Sequence, residues 1–209
     1  LARLRRRGSL RSTPPPLAQL SSTSSRFAPA CLARASARRW LPVLPPHGMA
    51  KRGTQKTIIG SNCLLMAYVH VGHDCIVGNN VIMANNASLS GHVEVGDFAN
   101  FGGYSGIPQF RKVGACTHIA GMSLVTKDVP AYMTVAGNPA SAVGLNVEGM
   151  KRRGVSSEGR LALKQAHKLV YRSGLRVAEA IAQMHELRSK HAEVEIFVQS
   201  IEVSDLGII

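Results

Sequence analysis

The sequence predicts a parallel β-helix followed by a small α-helical region, and three observations support this fold class. Residues 57–128 divide into twelve consecutive six-residue repeats, from TIIGSN to SLVTKD. The third residue of every repeat is apolar, and the fourth is small in most of them. After residue 156 the apolar residues follow the three-to-four-residue period of amphipathic helices.

The repeat explains how each element of the β-helix forms. Each six supplies one short strand and a corner, and three sixes close one triangular coil, so four coils are expected. The third residue points into the prism, and the small fourth residue lets the backbone turn the corner. An ordinary alternating strand would have a period of two and would not keep glycine in phase at six. The inward residues are Ile59, Leu65, Val71, Val77, Met83, Leu89, Val95, Phe101, Ile107, Val113, Ile119 and Val125.

The first 52 residues differ in composition from the rest and are predicted to be a disordered basic segment. Residues 1–48 show neither helical nor strand periodicity, and such a segment cannot offset its ordering entropy by burying apolar surface. It can be an organellar transit peptide, an artefact of a mis-started or out-of-frame translation with Met49 as the true start, or a basic arm for nucleic acid. Since no repeat precedes residue 57, the first coil is expected to expose unpaired backbone.

Charge, hydropathy and cysteine spacing exclude several classes of protein. The formal charge is +13, but residues 1–52 hold 11 basic residues and no acid, which leaves the remainder at +2. A uniformly basic nucleic-acid-binding domain is therefore not expected. No run of about 18 apolar residues is present, so no membrane span is predicted. The four cysteines lack the spacing of a zinc ribbon or a disulfide scaffold.

The region after the repeats is predicted to be a loop followed by helices. Pro130, Gly137 and Pro139 indicate a loop that leaves the last coil. Helices are expected at about 157–173, with Gly174 as a stop, and at about 177–191. A third, short helix carries Val194, Phe197, Val198 and Ile201. We assign the β-helix to residues 53–140 and a linker with a helical domain to residues 141–209.

The coil length places polar residues together at one corner of the prism. Residues 18 apart stack at the inter-strand distance of about 4.8 Å, so the sequence can be read as columns. Two neighbouring columns and the strand before them bring together His70, His73, Asp74, Gly91, His92 and Gln109.

These residue types suit acid–base chemistry. His73 beside Asp74 can act as a general base whose protonated form the carboxylate favours and orients. Gly91 leaves space and a backbone N–H that can stabilise an oxyanion, while His92 and Gln109 can hold substrate.

Two other interpretations of the corner remain. Corner histidines can be solvated turn residues, and histidine clusters can bind zinc. A zinc site would need a third ligand in place, and the His70-x-x-His73 pair lies on a coil rather than a helix. We therefore predict no metal and no cofactor.

At these residues the sequence resembles the acyl-[acyl-carrier-protein]–UDP-N-acetylglucosamine O-acyltransferases of lipid A biosynthesis. The resemblance covers about residues 53–209, the C-terminal part of the family chain, and includes the HVGHDC and NVEGMKRRG motifs and the helical tail. It implies a left-handed β-helix, against the usual right-handed crossover rule, and a cytoplasmic homotrimer with active sites between subunits. It also implies transfer of an (R)-3-hydroxyacyl group from acyl carrier protein to the 3-hydroxyl of UDP-N-acetylglucosamine.

The resemblance implies a role for each matching residue. His73 would be the general base, Asp74 would orient it, and Gly91 would supply the oxyanion N–H. Gly121 would bound the acyl tunnel, and its lack of a side chain leaves room for a longer chain. Contacts with sugar or acyl chain are implied for His70, His92 and Gln109, and contacts with the nucleotide and the carrier's phosphopantetheine for Asn146, Glu148, Arg152 and Arg153.

Three further features affect this expectation. Pro108 stands where the family usually has a histidine, which removes an imidazole and a backbone donor. The family's N-terminal coils have no counterpart in residues 1–48, so a non-catalytic β-helix remnant that only trimerises is the alternative function. A basic stripe on the first long helix would attract an acidic carrier protein, or is merely a solvated face. The stripe is formed by Arg160, Lys164, Lys168 and Arg172.

Overall fold

The computed structural model describes residues 33–35, 39–41 and 55–209 of the chain. A parallel β-helix is followed by a β-hairpin and five helices. The strands are β1 Ala33–Ala35, β2 Arg39–Leu41, β3 Thr57–Ile59, β4 Cys63–Leu65, β5 His70–Val71, β6 Ile76–Val77, β7 Ile82–Met83, β8 Ser88–Leu89, β9 Glu94–Val95, β10 Asn100–Phe101, β11 Gly106–Ile107, β12 Lys112–Val113, β13 His118–Ile119, β14 Met133–Gly137 and β15 Ala140–Leu145.

The strands stack in three parallel sheets, one on each face of the prism, as the repeat predicts. One face carries β3, β6, β9 and β12, the second β4, β7, β10 and β13, and the third β5, β8 and β11. Neighbouring strands are offset by 18 residues, so that Ile58 pairs with Ile76 and His70 pairs with Ser88. The predicted coil length is therefore confirmed.

The core of the prism is a stack of the third residues of the repeats. All but Leu65 and Val71 are buried, and both exceptions belong to the first coil, at the end of the stack. Each fully buried residue of this kind, such as Phe101 or Met83, contributes about 1.5–3 kcal/mol to folding. First-position residues complete the core, among them Cys63, whose thiol pKa is raised by burial.

The corners depend on the sixth residue of each repeat, and the interpretation based on the fourth residue was wrong in this respect. From Asn62 to Met122 every sixth residue is left-handed, with φ between 56° and 63°. The fourth residue is small for another reason, since a Cβ at Gly60 would lie 2.4 Å from the Gly78 carbonyl oxygen of the next coil. The sixth residues form three columns, which we call the Phe98 corner (Asn62, Asn80, Phe98, Cys116), the tyrosine corner (Tyr68, Asn86, Tyr104, Met122) and the histidine corner (Asp74, His92, Phe110).

Two faces of the first coil are covered by strands from the basic segment. β1 pairs antiparallel with β4, and β2 pairs antiparallel with β3. The expected exposed backbone is thus paired on these two faces, while β5 is the terminal strand of the third sheet. The remainder of the segment predicted to be disordered, 1–52, lies outside the described residues.

The prism continues beyond the twelfth repeat, where a loop was predicted. β14 pairs in parallel with β13, with Thr134 beside His118, so this partial coil is two residues shorter than the others. β14 then forms an antiparallel hairpin with β15. The loop prediction was wrong because Pro139 lies in the hairpin turn, and Met133 and Val135 carry the alternating burial of a strand. The predicted boundary at residue 140 falls at the start of β15.

The C-terminal region folds into five helices rather than three. They are α1 Val147–Arg152, α2 Ser157–Tyr171, α3 Val177–Gln183, α4 His185–Lys190 and α5 Ala192–Glu202. The first predicted helix corresponds to α2, and Gly174 follows it at φ +74°. The second is divided at the buried Met184, between α3 and α4. α5 is tied to the prism by the Ser200 hydroxyl, which accepts from the Ala131 N–H at 2.9 Å. None of the helices in the described ranges is long and apolar enough to cross a membrane.

Candidate active site

The histidine corner is built by the stacking of the coils. The His92 N–H donates to the His73 carbonyl at 2.9 Å, and the Phe110 N–H donates to the Gly91 carbonyl at 3.3 Å. Asp74, His92 and Phe110 share the left-handed conformation, so their side chains leave the prism in one direction. The predicted columns are therefore present, and they place polar side chains of successive coils against one another.

His73 and Asp74 form a paired imidazole and carboxylate. The distance between His73 Nδ1 and Asp74 Oδ2 is 2.9 Å, and the two side chains are 24% and 10% exposed. A carboxylate at this distance favours a hydrogen on Nδ1, which leaves the lone pair on Nε2. The pair thus presents a proton acceptor at the side of the imidazole remote from Asp74. The other carboxylate oxygen accepts from the Gln55 N–H.

Gly91 gives its space to the imidazole of His73. A Cβ at position 91 would lie 2.5 Å from His73 Nε2 and 2.6 Å from Cε1. We had expected Gly91 to leave an open space, and the structure fills that space with the catalytic ring itself. Within the described residues the Gly91 N–H donates to no acceptor, so it is available to an oxyanion.

His92 extends the cluster toward an aromatic residue that the sequence analysis did not assign to the site. His92 Nε2 lies 4.0 Å from Asp74 Oδ2, and its ring is perpendicular to that of His73 at 4.9 Å between centroids. On its other side it stacks on Phe110 at 4.7 Å. Phe110 is 55% exposed. Its place in the same column was the sequence signal for this role.

The same three polar residues can also hold a cation. His73, Asp74 and His92 each offer one ligand atom, and these atoms lie within 4.8 Å of one another. Two imidazole nitrogens and a carboxylate oxygen are a donor set that zinc accepts.

The other residues expected to bind sugar or acyl chain lie around this corner or beyond it. His70 is exposed on β5, next to Ser88 on the third face, and the exposed Gln109 directly precedes Phe110. Gly121 lies elsewhere, at the tyrosine corner, where it is exposed and a Cβ would meet the Gly103 carbonyl oxygen at 3.2 Å. One chain therefore does not bring Gly121 to His73.

In the NVEGMKRRG segment, Asn146 and Gly149 have a structural role. Asn146 caps α1, with its Oδ1 accepting from the Gly149 N–H at 3.0 Å. Its Nδ2 donates to the Cys116 carbonyl at 2.8 Å. A Cβ at Gly149 would lie 2.2 Å from Asn146 Nδ2. Part of the motif is thus required by the cap itself.

The charged residues of the motif lie at the Phe98 corner. Arg153 stacks over the Phe98 ring at 4.0 Å, and its guanidinium donates to the Phe98 carbonyl at 3.4 Å. Lys151 donates to Glu148 at 2.8 Å, and this hydrogen bond lowers the pKa of the Glu148 carboxyl. Arg152 is exposed. Within one chain these residues and His73 therefore occupy different corners.

The predicted basic stripe borders a groove of about 520 Å³ between β15, α1 and α2. The floor of this groove is largely apolar and includes Leu145 and Met150. His167 lies among the basic residues, and burial, followed by the charge of Arg172, lowers its pKa. The sequence indicated the stripe, but not the groove. The basic residues that line it are Arg160, Lys164, Lys168 and Arg172.

The tyrosine corner is an exposed apolar surface beside the third face. Tyr68, Tyr104 and Met122 are 84%, 68% and 76% exposed. They stand in one column, with Leu124 of the adjoining face 37% exposed. Large apolar side chains grouped in this way mark a surface that a partner covers.

Comparisons with known proteins agree with this arrangement. Residues 128–209 match the family model of UDP N-acetylglucosamine O-acyltransferase, domain 2, and residues 56–91 match the bacterial transferase hexapeptide model. The chain is 47% identical over 161 residues to the acyl-[acyl-carrier-protein]–UDP-N-acetylglucosamine O-acyltransferase of Ectopseudomonas mendocina, covering 75% of this chain and 62% of the relative. The enzyme of that name from Pseudomonas putida is 46% identical over 153 residues, which cover 73% of this chain and 59% of the relative.

Solved structures show the same likeness. The UDP-N-acetylglucosamine O-acyltransferase of Moraxella catarrhalis superposes with a TM-score of 0.74 and 40% identity, over 77% of this chain and 62% of that one. The acyltransferase of Arabidopsis gives 0.70 and 38%, over 73% and 57%. The chain thus spans about three fifths of the length of these relatives. The predicted left-handed β-helix with a helical C-terminal region is confirmed.

Proposed function

Because this chain belongs to the UDP-N-acetylglucosamine O-acyltransferase family and matches its C-terminal part, we propose that it carries out the reaction named for its relatives. An (R)-3-hydroxyacyl group would move from acyl carrier protein to the 3-hydroxyl of UDP-N-acetylglucosamine, the first step of lipid A biosynthesis, in the cytoplasm. The observation that carries this proposal is the His73–Asp74 pair, which lies against the backbone of Gly91.

The geometry supports a general-base mechanism. His73 Nε2 takes the proton of the sugar hydroxyl while that oxygen attacks the thioester carbonyl. Asp74 stabilises the resulting imidazolium through Nδ1. The Gly91 N–H donates to the oxyanion, and collapse of the intermediate expels the carrier thiolate, which recovers the proton from His73. A positioned base of this kind contributes about 10²–10⁴-fold to the rate.

A homotrimer would complete this site. In one chain the histidine corner is separated from Arg153 and from Gly121, which lie at the other two corners. The exposed apolar residues of the tyrosine corner are suited to burial against a second copy. We place the active sites between subunits, where His73 of one chain faces residues of its neighbour.

The basic groove beside α2 supports acyl carrier protein as the donor. Carrier proteins of this kind are acidic, and a stripe of like charge steers such a partner and fixes its orientation. The apolar floor of the groove adds a surface that a merely solvated helix face would not need.

The test is acyl transfer by the full chain and by His73→Gln, with the oligomer followed by light scattering. We expect a loss of about 10²–10⁴-fold with the trimer retained, because a general base is removed from a corner that stays folded. His118→Asn is the matched control, since His118 lies half-buried beside Asn100 on another face. Unchanged transfer by His73→Gln contradicts the base assignment. A trimeric chain without any transfer would favour the non-catalytic remnant.

A further inference from the structure

We propose that His73, Asp74 and His92 form a binding site for a divalent transition-metal ion, with Zn²⁺ the best match, and that its occupancy blocks acyl transfer. The binding part stands on the geometry of the histidine corner alone. The inhibitory part rests on the proposed function.

The spacing of the ligand atoms fits a small tetrahedral ion. Asp74 Oδ2 lies between the two rings, 2.9 Å from His73 Nδ1 and 4.0 Å from His92 Nε2. Bonds of about 2.0–2.2 Å place the ligands of tetrahedral zinc roughly 3.4 Å apart. The two observed distances fall on either side of that value, so small side-chain rotations close the site around an ion.

The surroundings favour a fixed, accessible site. Asp74 and His92 are held in the left-handed conformation by the corner turns, and stacking on Phe110 restricts rotation of the His92 ring. The His73 and His92 side chains are 24% and 20% exposed, which leaves a path for the ion and a fourth position for water. Two imidazoles with one carboxylate select Zn²⁺, Co²⁺ or Ni²⁺ over the oxygen-seeking Mg²⁺ and Ca²⁺.

Occupancy would remove the base without changing the fold. An ion on His73 Nδ1 replaces the hydrogen that Asp74 accepts, and the neutral ring then carries its one hydrogen on Nε2. The hydrogen moves from one ring nitrogen to the other through solvent, so no net proton is released by the ring. Nε2, the atom beside Gly91, thereby changes from proton acceptor to donor and cannot take the proton of a sugar hydroxyl.

The test measures metal binding and turnover separately on the full chain. Titration with Co²⁺ is expected to give the visible absorption of a tetrahedral ion with nitrogen ligands, at one ion per chain, and Zn²⁺ is expected to displace it. His92→Gln should weaken Zn²⁺ binding at least tenfold by calorimetry. His185→Gln is the control and should bind like the unsubstituted chain, because His185 is exposed on α4, outside the cluster.

Each outcome decides one part of the proposal. Absence of the Co²⁺ spectrum, or equal Zn²⁺ affinity in His92→Gln, overturns the site. Stoichiometric Zn²⁺ that leaves acyl transfer unchanged overturns the inhibition but not the site. If the metal-free chain shows no acyl transfer, the proposed function fails, while the binding titration still decides the metal site.

Discussion

Replacing Gly91 with Ala tests whether the position of the His73 ring sets the rate. The added Cβ would lie 2.5 Å from Nε2 and 2.6 Å from Cε1 of His73, distances that side-chain atoms do not tolerate. The ring must therefore rotate away, and the 2.9 Å contact of its Nδ1 with Asp74 is lost. Alanine keeps the N–H that faces the oxyanion, so the loss should reflect the base alone, about 10²–10⁴-fold in kcat.

The assay is steady-state acyl transfer together with thermal unfolding. Because the clash is with the end of a half-exposed ring, we expect the Tm of Gly91→Ala to stay close to that of the unsubstituted chain. Gly103→Ala is the matched control, since Gly103 also occupies the fifth position of its repeat and its Cβ would meet only the Asn85 carbonyl oxygen, at 3.2 Å. Undiminished kcat in Gly91→Ala would refute the reasoning.

Three further predictions concern the C-terminal region. Asn146→Ala should cost roughly 1–2 kcal/mol of unfolding free energy in urea, because the α1 cap is lost. Changing Lys164 and Lys168 to Glu should raise the KM for the acyl carrier protein, and not that for the sugar nucleotide, in initial-rate assays. Burial and Arg172 lower the pKa of His167, so the unfolded chain binds more protons, and stability falls as the pH drops below about 6.5. Thermal unfolding of His167→Phe should show a weaker pH dependence.

The coil, its columns and the His73–Asp74 pair could be predicted because the six-residue period fixes their geometry. Once 18 residues close a coil, every stacked neighbour follows from the numbering, and Gly91 must lie against His73. The role of the sixth residue was less visible, since asparagines such as Asn80 accept a positive φ readily but Tyr104 does not. Its signal was the recurrence of asparagine or aspartate at that position.

The elements outside the repeat were predicted less well because contacts with the last coil decide them. β14 has only five residues, and its partner β13 belongs to a coil with a different spacing. The short α1 depends on the Asn146 cap and on a hydrogen bond to Cys116, 30 residues earlier. Neither contact leaves a periodic trace in the sequence, so a stretch with two prolines was interpreted as a loop.

The NVEGMKRRG segment shows why a motif match alone does not identify a ligand contact. The carboxamide of Asn146 is occupied by the cap and by Cys116, and Arg153 is engaged with Phe98. Arg152, by contrast, is exposed and forms no ion pair within the described residues. Arg152 is therefore the member of the motif best placed to reach a phosphate without disturbing α1. In the trimer that we propose, it can do so only at the histidine corner of another subunit, since its own corner carries no base.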